Sequence, residues 1–191
     1  MEIAGQIADK IQLTFTPEKE ESKNTFAPID ILDYIYGVLH SPAYREKYKE
    51  FLKIDFPRVP YPENAAVFWF YAKAGKDLRK LHLMESDRLR KLITKYPVHG
   101  DNIITQIKNR PMQNGKMRVY INDTQYFDEV PQEAWEFYIG GYQPAQKWLK
   151  DRKGRKLSAQ ENLHWQKIIA ALSETQRVMQ TLNSESGFSQ N

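Results

Sequence analysis

The sequence contains no cysteine, which excludes disulfide bonds, thiolate zinc sites and a cysteine nucleophile. It also lacks an apolar run approaching the roughly 20 residues that a membrane-spanning helix needs. The first five residues, MEIAG, have neither the basic nor the apolar region of a signal peptide. We therefore expect a soluble, cytoplasmic protein without a membrane partner, whose 191 residues form one domain or a domain with a small extension.

Several enzyme motifs are absent as well. The chain has no G-x-G-x-x-G, no G-x-x-x-x-G-K-[ST] and no G-x-S-x-G, so no local motif indicates a nucleotide site or a hydrolase nucleophile. Its histidines are too far apart for a local metal motif such as H-E-x-x-H; they are His40, His82, His99 and His164. A triad assembled from distant residues stays open. We predict no catalytic residue, no metal and no cofactor in this chain.

The net charge of +4 is unevenly distributed along the chain. Residues 1–64 carry 8 Lys/Arg against 11 Asp/Glu, whereas residues 140–180 carry 8 against 3. A cationic segment suits a polyanionic partner, because Lys and Arg neutralise phosphates and release counterions. An ordinary solvated surface would show the same pattern, so charge alone leaves both interpretations open.

The first half of the chain is predicted to be helical. Residues 2–12 can form a short helix, and the polar segment 14–27 is predicted to be a loop. Asp30 can cap a helix whose apolar residues recur at helical spacing. Ser41-Pro42 resembles part of an amino-methyltransferase motif, but a proline break between two core helices explains it better.

After the proline-rich connector at 57–62, a helix is predicted over residues 63–84. Gly75 in that helix is a weak position or marks a close approach of two chain segments. Strands are then predicted at 102–108, 116–122 and 135–139, the first two joined through the turn signal Asn114-Gly115.

Ser158 and Glu161 form the pattern S-x-x-E of a capping box at the start of a terminal helix. A polar tail, predicted to be flexible, follows at 184–191. The order of the elements predicts an α+β fold, with helices at both ends around a small, mainly antiparallel sheet.

Two stretches carry side chains that suit a nucleic acid. In residues 147–156, basic groups surround a turn at Gly154 and could follow a phosphate backbone; they are Lys147, Lys150, Arg152, Lys153, Arg155 and Lys156. In residues 118–126, Arg118, Asn122 and Gln125 are of the types that make bidentate contacts with purine edges. A solvated turn and an exposed polar strand are the alternative interpretations.

A third candidate lies between them, at Gly140-Gly141-Tyr142-Gln143-Pro144. The two glycines permit close approach of a ligand backbone, so that Tyr142 and Gln143 could face a groove. A tight turn with Pro144 at the first position of a helix also explains the segment. Both interpretations can hold together.

The segment PIDILDYIYGVLHSPAYR at residues 28–45 resembles the start of the C-terminal specificity domain of type ISP restriction-modification enzymes. The same segment occurs in related single-chain adenine-specific DNA methyltransferases. The resemblance extends in order over roughly residues 3–182. It continues in FLKIDFPRVP at 51–60, LRKLHLM at 78–84, QYF at 125–127, IGGYQP at 139–144 and KWLKDRKGR at 147–155.

The resemblance implies that this chain is a fragment of a longer bacterial polypeptide. The implied parent methylates adenine N6 with S-adenosylmethionine, and whether it also cuts DNA stays open. In that family a nuclease, a helicase-like motor and a methyltransferase share one polypeptide with this domain. A methyltransferase flips its target base out of the duplex, and the recognition domain would fix which base is flipped.

We therefore expect residues 1–27 to be a helix and linker from the parent, and residues 28–183 to be a DNA target-recognition domain. Within it, 28–100 would be helical, 101–140 would hold the small sheet and 141–183 the C-terminal helices. The expected partners are double-stranded DNA and the methyltransferase and other domains of the parent. The chain by itself should have no methyltransferase or nuclease activity. A helical module that docks onto another subunit or domain is the alternative.

Overall fold

The computed structural model describes residues 2–184. The chain divides into two compact units, one formed within Met1–Leu83 and Arg177–Asn191, the other by Met84–Gln176. Helices precede and follow a small antiparallel sheet, so the predicted α+β fold is confirmed. Most of the tail predicted at 184–191 lies outside the described residues, and Ser184 is still helical.

The first unit consists of helices and one short strand pair. Strands β1 and β2 lie within the segment predicted to be only a loop and pair in parallel, with Thr14 opposite Thr25. Residues 16–24 bring the chain back to the start of β1, so that the Thr14 and Thr16 N–H groups donate to the Asn24 and Phe26 carbonyls. That prediction is therefore wrong in part. The elements are α1 (Glu2–Ile11), β1 (Thr14–Phe15), β2 (Thr25–Phe26), α2 (Pro28–His40), α3 (Pro42–Lys47), a 3-10 helix (Phe51–Lys53) and α4 (Ala65–His82).

Asp30 caps α2 from a different position than predicted. Helix α2 begins after Ala27, and the Asp30 carboxylate accepts a hydrogen bond from the Ala27 N–H at 2.9 Å. Asp30 therefore acts from inside the first turn, because Pro28 already sets the helical φ there. The predicted break at Ser41-Pro42 is confirmed: α2 ends at His40, and the Ser41 hydroxyl accepts from the Tyr44 N–H at the start of α3.

Helices α2 and α4 approach each other at two glycines. A Cβ added to Gly75 would lie 1.7 Å from the carbonyl oxygen of Asp33, and one added to Gly37 would lie 2.2 Å from that of Tyr71. No side chain fits at either distance, so the backbones meet directly. The predicted close approach at Gly75 is confirmed. Around it lies a core rich in aromatic residues, which includes Phe26, Tyr34, Tyr44, Phe68 and Tyr71.

The second unit holds the three-stranded sheet. Strand order is β3-β4-β5, and both pairs are antiparallel. Helix α7 begins with the predicted capping box, in which the Ser158 N–H donates to Glu161 and the Glu161 N–H donates to the Ser158 hydroxyl. The elements are a 3-10 helix (Asp87–Arg90), β3 (Lys108–Pro111), β4 (Lys116–Tyr120), β5 (Tyr126–Pro131), α5 (Gln132–Trp135), α6 (Pro144–Lys150) and α7 (Ala159–Ser184). Helix α7 belongs to this unit as far as Gln176, and its residues from Arg177 onward belong to the first unit.

Two of the three predicted strands are wrong in position. Residues 102–108 form no continuous strand, because the Ile104 N–H donates to Arg155 whereas the next two N–H groups both donate to Ile121. The segment thus hydrogen-bonds first to the turn at Arg155 and then to Ile121 after β4, and strand β3 begins only at Lys108. Residues 135–139 are not a strand either, because Trp135 still belongs to α5 and Ile139 pairs only with Tyr142, three residues along the chain.

One face of the sheet and one face of α7 form the core of the second unit. Met117, Val119 and Phe127 are buried in one cluster with Trp165, whose indole N–H donates to the Ala145 carbonyl at 3.1 Å. Since alternate residues of a strand point to opposite faces, Arg118 and Tyr120 lie on the other face of β4. None of the helices in residues 2–184 combines the length and apolar character needed to cross a membrane.

Candidate nucleic-acid interface

The face of the sheet that points away from the core carries arginine and tyrosine side chains. The register places Arg110 opposite Arg118 and Tyr120 opposite Tyr126. The guanidinium carbon of Arg110 lies 4.9 Å from the ring centre of Tyr120, and that of Arg118 lies 4.8 Å from the ring centre of Tyr126. We call these residues, together with Lys108 opposite Tyr120, the cationic sheet face. Planar guanidinium groups held on aromatic rings are preorganised to bind phosphates or base edges.

Arg118 is the member of this face that was predicted to read bases. Its Nε donates to the Asp128 carboxylate at 3.1 Å, and this hydrogen bond raises the pKa of Arg118. The side chain is 39% exposed, so one edge of the guanidinium is accessible although the other is paired. The structure thus places Arg118 at the surface, and base reading by this residue stays a prediction.

Asn122 and Gln125, the other two residues of the stretch 118–126 that were predicted to read bases, are buried. The Gln125 amide donates to the carbonyl of Val98 at 3.1 Å and to Asn102 Oδ1 at 2.7 Å, and it accepts from the Asn102 N–H at 2.8 Å. The Asn122 amide nitrogen donates to Gln125 Oε1 at 3.0 Å and to the Ile103 carbonyl at 3.2 Å. Their hydrogen-bonding groups hold the turn between β4 and β5. Base reading by these two residues stays a prediction, and their burial disfavours it.

Tyr142 and Gln143 lie on a tight turn. The backbones of Ile139 and Tyr142 bond to each other in both directions, at 3.0 and 3.3 Å, and Gly140 between them has a φ of +59°. Gln143 precedes α6, which begins at Pro144 as predicted, and its amide donates to the Glu136 carbonyl at 3.2 Å. The Tyr142 ring is half exposed. Of the two residues, Tyr142 has the side chain that is accessible to a ligand.

The basic segment 147–156 contains cations that are paired and cations that are not. The Lys147 ammonium contacts the Asp151 carboxylate at 2.7 Å, and Lys150 donates to the Gln146 side chain at 3.4 Å. Arg152 stacks on Trp148, with 3.6 Å between its guanidinium carbon and the ring centre. These contacts fix the conformation of the segment around α6.

Arg152 and Arg155 share a single carboxylate. Both contact Glu161 Oε1, at 3.4 and 3.3 Å. The hydrogen bond from the Ser158 N–H, and to a smaller extent the positive charge of Arg155, lower the pKa of Glu161. The carboxylate therefore stays ionised. Lys153 and Lys156 are exposed and have no ion-pair partner within the described part of the chain. These two lysines are the cations of the turn that a phosphate could reach without breaking a contact.

The turn at Gly154 adjoins the end of β4. Gly154 has a φ of +83°, and its N–H donates to the Ile104 carbonyl at 2.7 Å. The segment that contains Ile104 also bonds to Ile121, the residue that follows β4. The two stretches predicted to contact nucleic acid are therefore neighbours, separated by one extended segment.

The prediction missed Lys108 and Arg110 of the cationic sheet face. Their strand was placed at 102–108, so both residues fell at or beyond its end. A usable signal was present, because residues 102–122 contain four Lys or Arg and no Asp or Glu. Such a charge pattern indicates an interface with a polyanion more directly than net charge does.

The described residues include no group of three or more His, Cys, Asp or Glu that could hold a metal ion. A cavity of about 610 Å³ lies beside the first turn of α7, lined among others by Tyr96, His99 and Asn162. Burial raises the pKa of Tyr96 to about 12, so its hydroxyl stays protonated. It donates to Asn102 at 3.0 Å and thereby supports the turn that Gln125 holds.

Comparison with known proteins places this fold in a defined group. It is similar to a nuclease-deletion mutant of the Type ISP restriction-modification enzyme LlaGI in complex with a DNA substrate mimic, with 21% identity and a TM-score of 0.61. It is also similar to the ATP-dependent Type ISP restriction-modification enzyme LlaBIII bound to DNA, with 19% identity and a TM-score of 0.63. A third similar structure is a DrdV–DNA complex, with 23% identity and a TM-score of 0.61.

These matches cover 83%, 82% and 80% of this chain but only 14%, 11% and 18% of the LlaGI, LlaBIII and DrdV chains. The chain therefore spans less than a fifth of each. No curated protein matches it. The family model of the Type ISP C-terminal specificity domain matches residues 2–181. Because that match covers nearly all of the sequence, the chain belongs to the family of Type ISP C-terminal specificity domains.

Proposed function

We propose that this domain binds double-stranded DNA and recognises a target sequence within it. The observation that carries the proposal is the match of residues 2–181 to a family of specificity domains. The DNA that is bound in the similar LlaGI, LlaBIII and DrdV structures supports it. Specificity domains of this family are not themselves catalytic, so the domain would act by positioning.

The phosphate contacts are assigned to the turn at Gly154. Lys153 and Lys156 have ammonium groups that no carboxylate neutralises within residues 2–184. Arg152 and Arg155 hold the turn through Glu161 instead. Phosphate contacts fix register and orientation on the duplex without reading sequence. The domain would thus be oriented by the turn, and the sequence would be read elsewhere.

We further propose that the polypeptide that carries this domain methylates adenine N6 with S-adenosylmethionine. The resemblance of residues 28–45 to a segment of single-chain adenine-specific DNA methyltransferases supports this. The cofactor would be bound by a methyltransferase domain outside this chain, and that domain would be the main partner of the present one. Incubation of the complete polypeptide with DNA and labelled S-adenosylmethionine tests it, and unlabelled DNA after full binding would refute it.

The DNA-binding proposal is tested by the salt dependence of affinity. We expect log Kd to depend linearly on log salt concentration, and K153A/K156A to reduce the slope by about 2, because each phosphate contact contributes about 0.9. Fluorescence anisotropy with labelled duplexes measures both quantities. K73A/K76A, which removes two exposed lysines from α4, is the matched control and should leave the slope unchanged.

Two results would contradict this assignment. A slope that K153A/K156A leaves unchanged would show that the turn is only a solvated surface. Absence of salt-dependent duplex binding by the wild-type chain would remove the DNA-binding proposal itself. Salt-independent binding to another subunit would favour the docking module instead.

A further inference from the structure

The hairpin between β3 and β4 projects into solvent. All eight residues of 108–115, which we call the tip segment, are exposed, including neighbours that point to opposite faces of the strand. The adjoining strand β4 buries Met117 and Val119 in the core. An edge strand of such a sheet ordinarily buries one face. The tip segment is thus supported by the sheet without being covered by it.

The tip segment is also free of negative charge. Residues 102–122 contain no Asp or Glu. Within residues 2–184, Lys108 and Arg110 have no ion-pair partner, in contrast to Arg118, which Asp128 neutralises. The Arg110 guanidinium rests on the Tyr120 ring at 4.9 Å. A stacked guanidinium loses less conformational entropy on binding than a free one.

The amide side chains of the tip segment have unused hydrogen-bonding groups. Asn109, Gln113 and Asn114 are exposed and form no side-chain hydrogen bond with the described residues. Asn122 and Gln125 have the same chemistry but use it within the turn between β4 and β5. Asn and Gln pair with adenine edges and Arg with guanine edges. The tip segment therefore carries exposed side chains of the types that read bases, with hydrogen-bonding groups that the described residues do not use.

The tip is held in a defined shape. Asn114 and Gly115 have φ values of +62° and +67°, which Asn and Gly tolerate. The Met112 N–H donates to the Lys116 carbonyl at 2.7 Å, and the Gln132 N–H donates to the Gly115 carbonyl at 2.9 Å. A two-stranded ribbon fits the major groove, which is about 12 Å wide and about 8.5 Å deep. A hairpin of this shape can place its tip against base edges.

We propose that the tip segment is the base-reading element of this domain. Arg110, Gln113 and Asn114 contact base edges in the major groove, and Lys108 contacts the adjacent phosphate. This inference rests on the proposed DNA-binding function and adds to it the residues that select the sequence. It moves the reading role away from Asn122 and Gln125, whose amides hold the neighbouring turn.

The test is selection of bound duplexes from a random pool, with the wild-type chain and with two variants. R110K keeps the positive charge but loses the planar fork, and Q113A removes an exposed amide. We expect each variant to lose about 5- to 150-fold of the preference at one position of the selected site. Affinity for random duplexes should change less than about twofold, because phosphate contacts are kept.

R90K is the matched control, since Arg90 lies in the same unit with its side chain 85% exposed. It should select the wild-type site, and thermal unfolding should be the same for all three variants. N114G adds a second test at the tip, because glycine keeps the positive φ while the amide is lost. It should also relax one position.

The outcomes separate the two proposals. If the wild-type chain selects a site and all tip variants select the same one with unchanged discrimination, the tip segment does not read bases. Uniform weakening on every duplex would likewise overturn the reading role while leaving DNA binding intact. If the wild-type chain binds no duplex, the proposed function and this inference both fail.

Discussion

Replacement of Gln125 by alanine distinguishes a structural role of this residue from base reading. The Gln125 side chain is 1% exposed. Its amide forms four hydrogen bonds, to Val98, to Asn122 and twice to Asn102. The variant Q125A removes all four and leaves partners without a replacement. We therefore expect it to destabilise the second unit.

The size of the effect follows from these contacts. A hydrogen bond contributes about 1 kcal/mol net, and a buried group left unpaired costs about 1–3 kcal/mol. We expect Q125A to lower the free energy of unfolding by about 3–4 kcal/mol. For a chain of this length, a loss of about 1 kcal/mol in the free energy of unfolding lowers the melting temperature by roughly 2–4 °C. The melting temperature should fall by about 10 °C.

Thermal unfolding followed by tryptophan fluorescence measures the shift, because Trp135 and Trp165 lie in the core of the same unit. Q113A is the matched control: the same substitution at an exposed position should leave the melting temperature unchanged. At temperatures below its unfolding transition, Q125A should have a lower affinity for every duplex, reduced by the same factor in each case. An unchanged melting temperature together with altered preference at a single base would refute the structural role.

Two further predictions concern the first unit. G75A should lower the free energy of unfolding by about 3 kcal/mol, because its Cβ would lie 1.7 Å from the Asp33 carbonyl oxygen. G5A should raise the free energy of unfolding by about 0.5–1 kcal/mol, because alanine favours the helix α1 and no atom lies within 4 Å of the added Cβ. Urea unfolding measures both changes. Burial is the larger cause and the nearby His40 the smaller cause that lower the pKa of His82 to about 4. Between about pH 6.5 and pH 4, His82 is therefore protonated in the unfolded chain but neutral in the folded chain. Stability should therefore fall as the pH drops from 7 to 5, and H82Q should weaken this dependence in urea titrations; an identical pH dependence in H82Q would contradict the assignment.

Local signals in the sequence determined several features of this protein. Ser158 and Glu161 predict the start of α7, because a capping box involves only residues three apart. Pro42 ends the preceding helix independently of tertiary contacts, because its ring and its missing N–H act on the adjacent backbone alone. Gly75 predicts a close approach, although not that its neighbour would be α2. The resemblance spread over residues 3–182 identified the family, which the family model confirms.

The tertiary structure decided which polar side chains are accessible. Gln113 and Gln125 are the same residue type in similar polar surroundings, yet one lies on a projecting edge and the other under a turn. Burial depends on segments such as 98–102, which are distant in sequence and fold over Gln125. In the same way, Arg155 is paired only because α7 brings Glu161 to it. The sequence shows which polar and charged side chains are present, whereas packing between segments distant in sequence determines which of these side chains are accessible to a ligand.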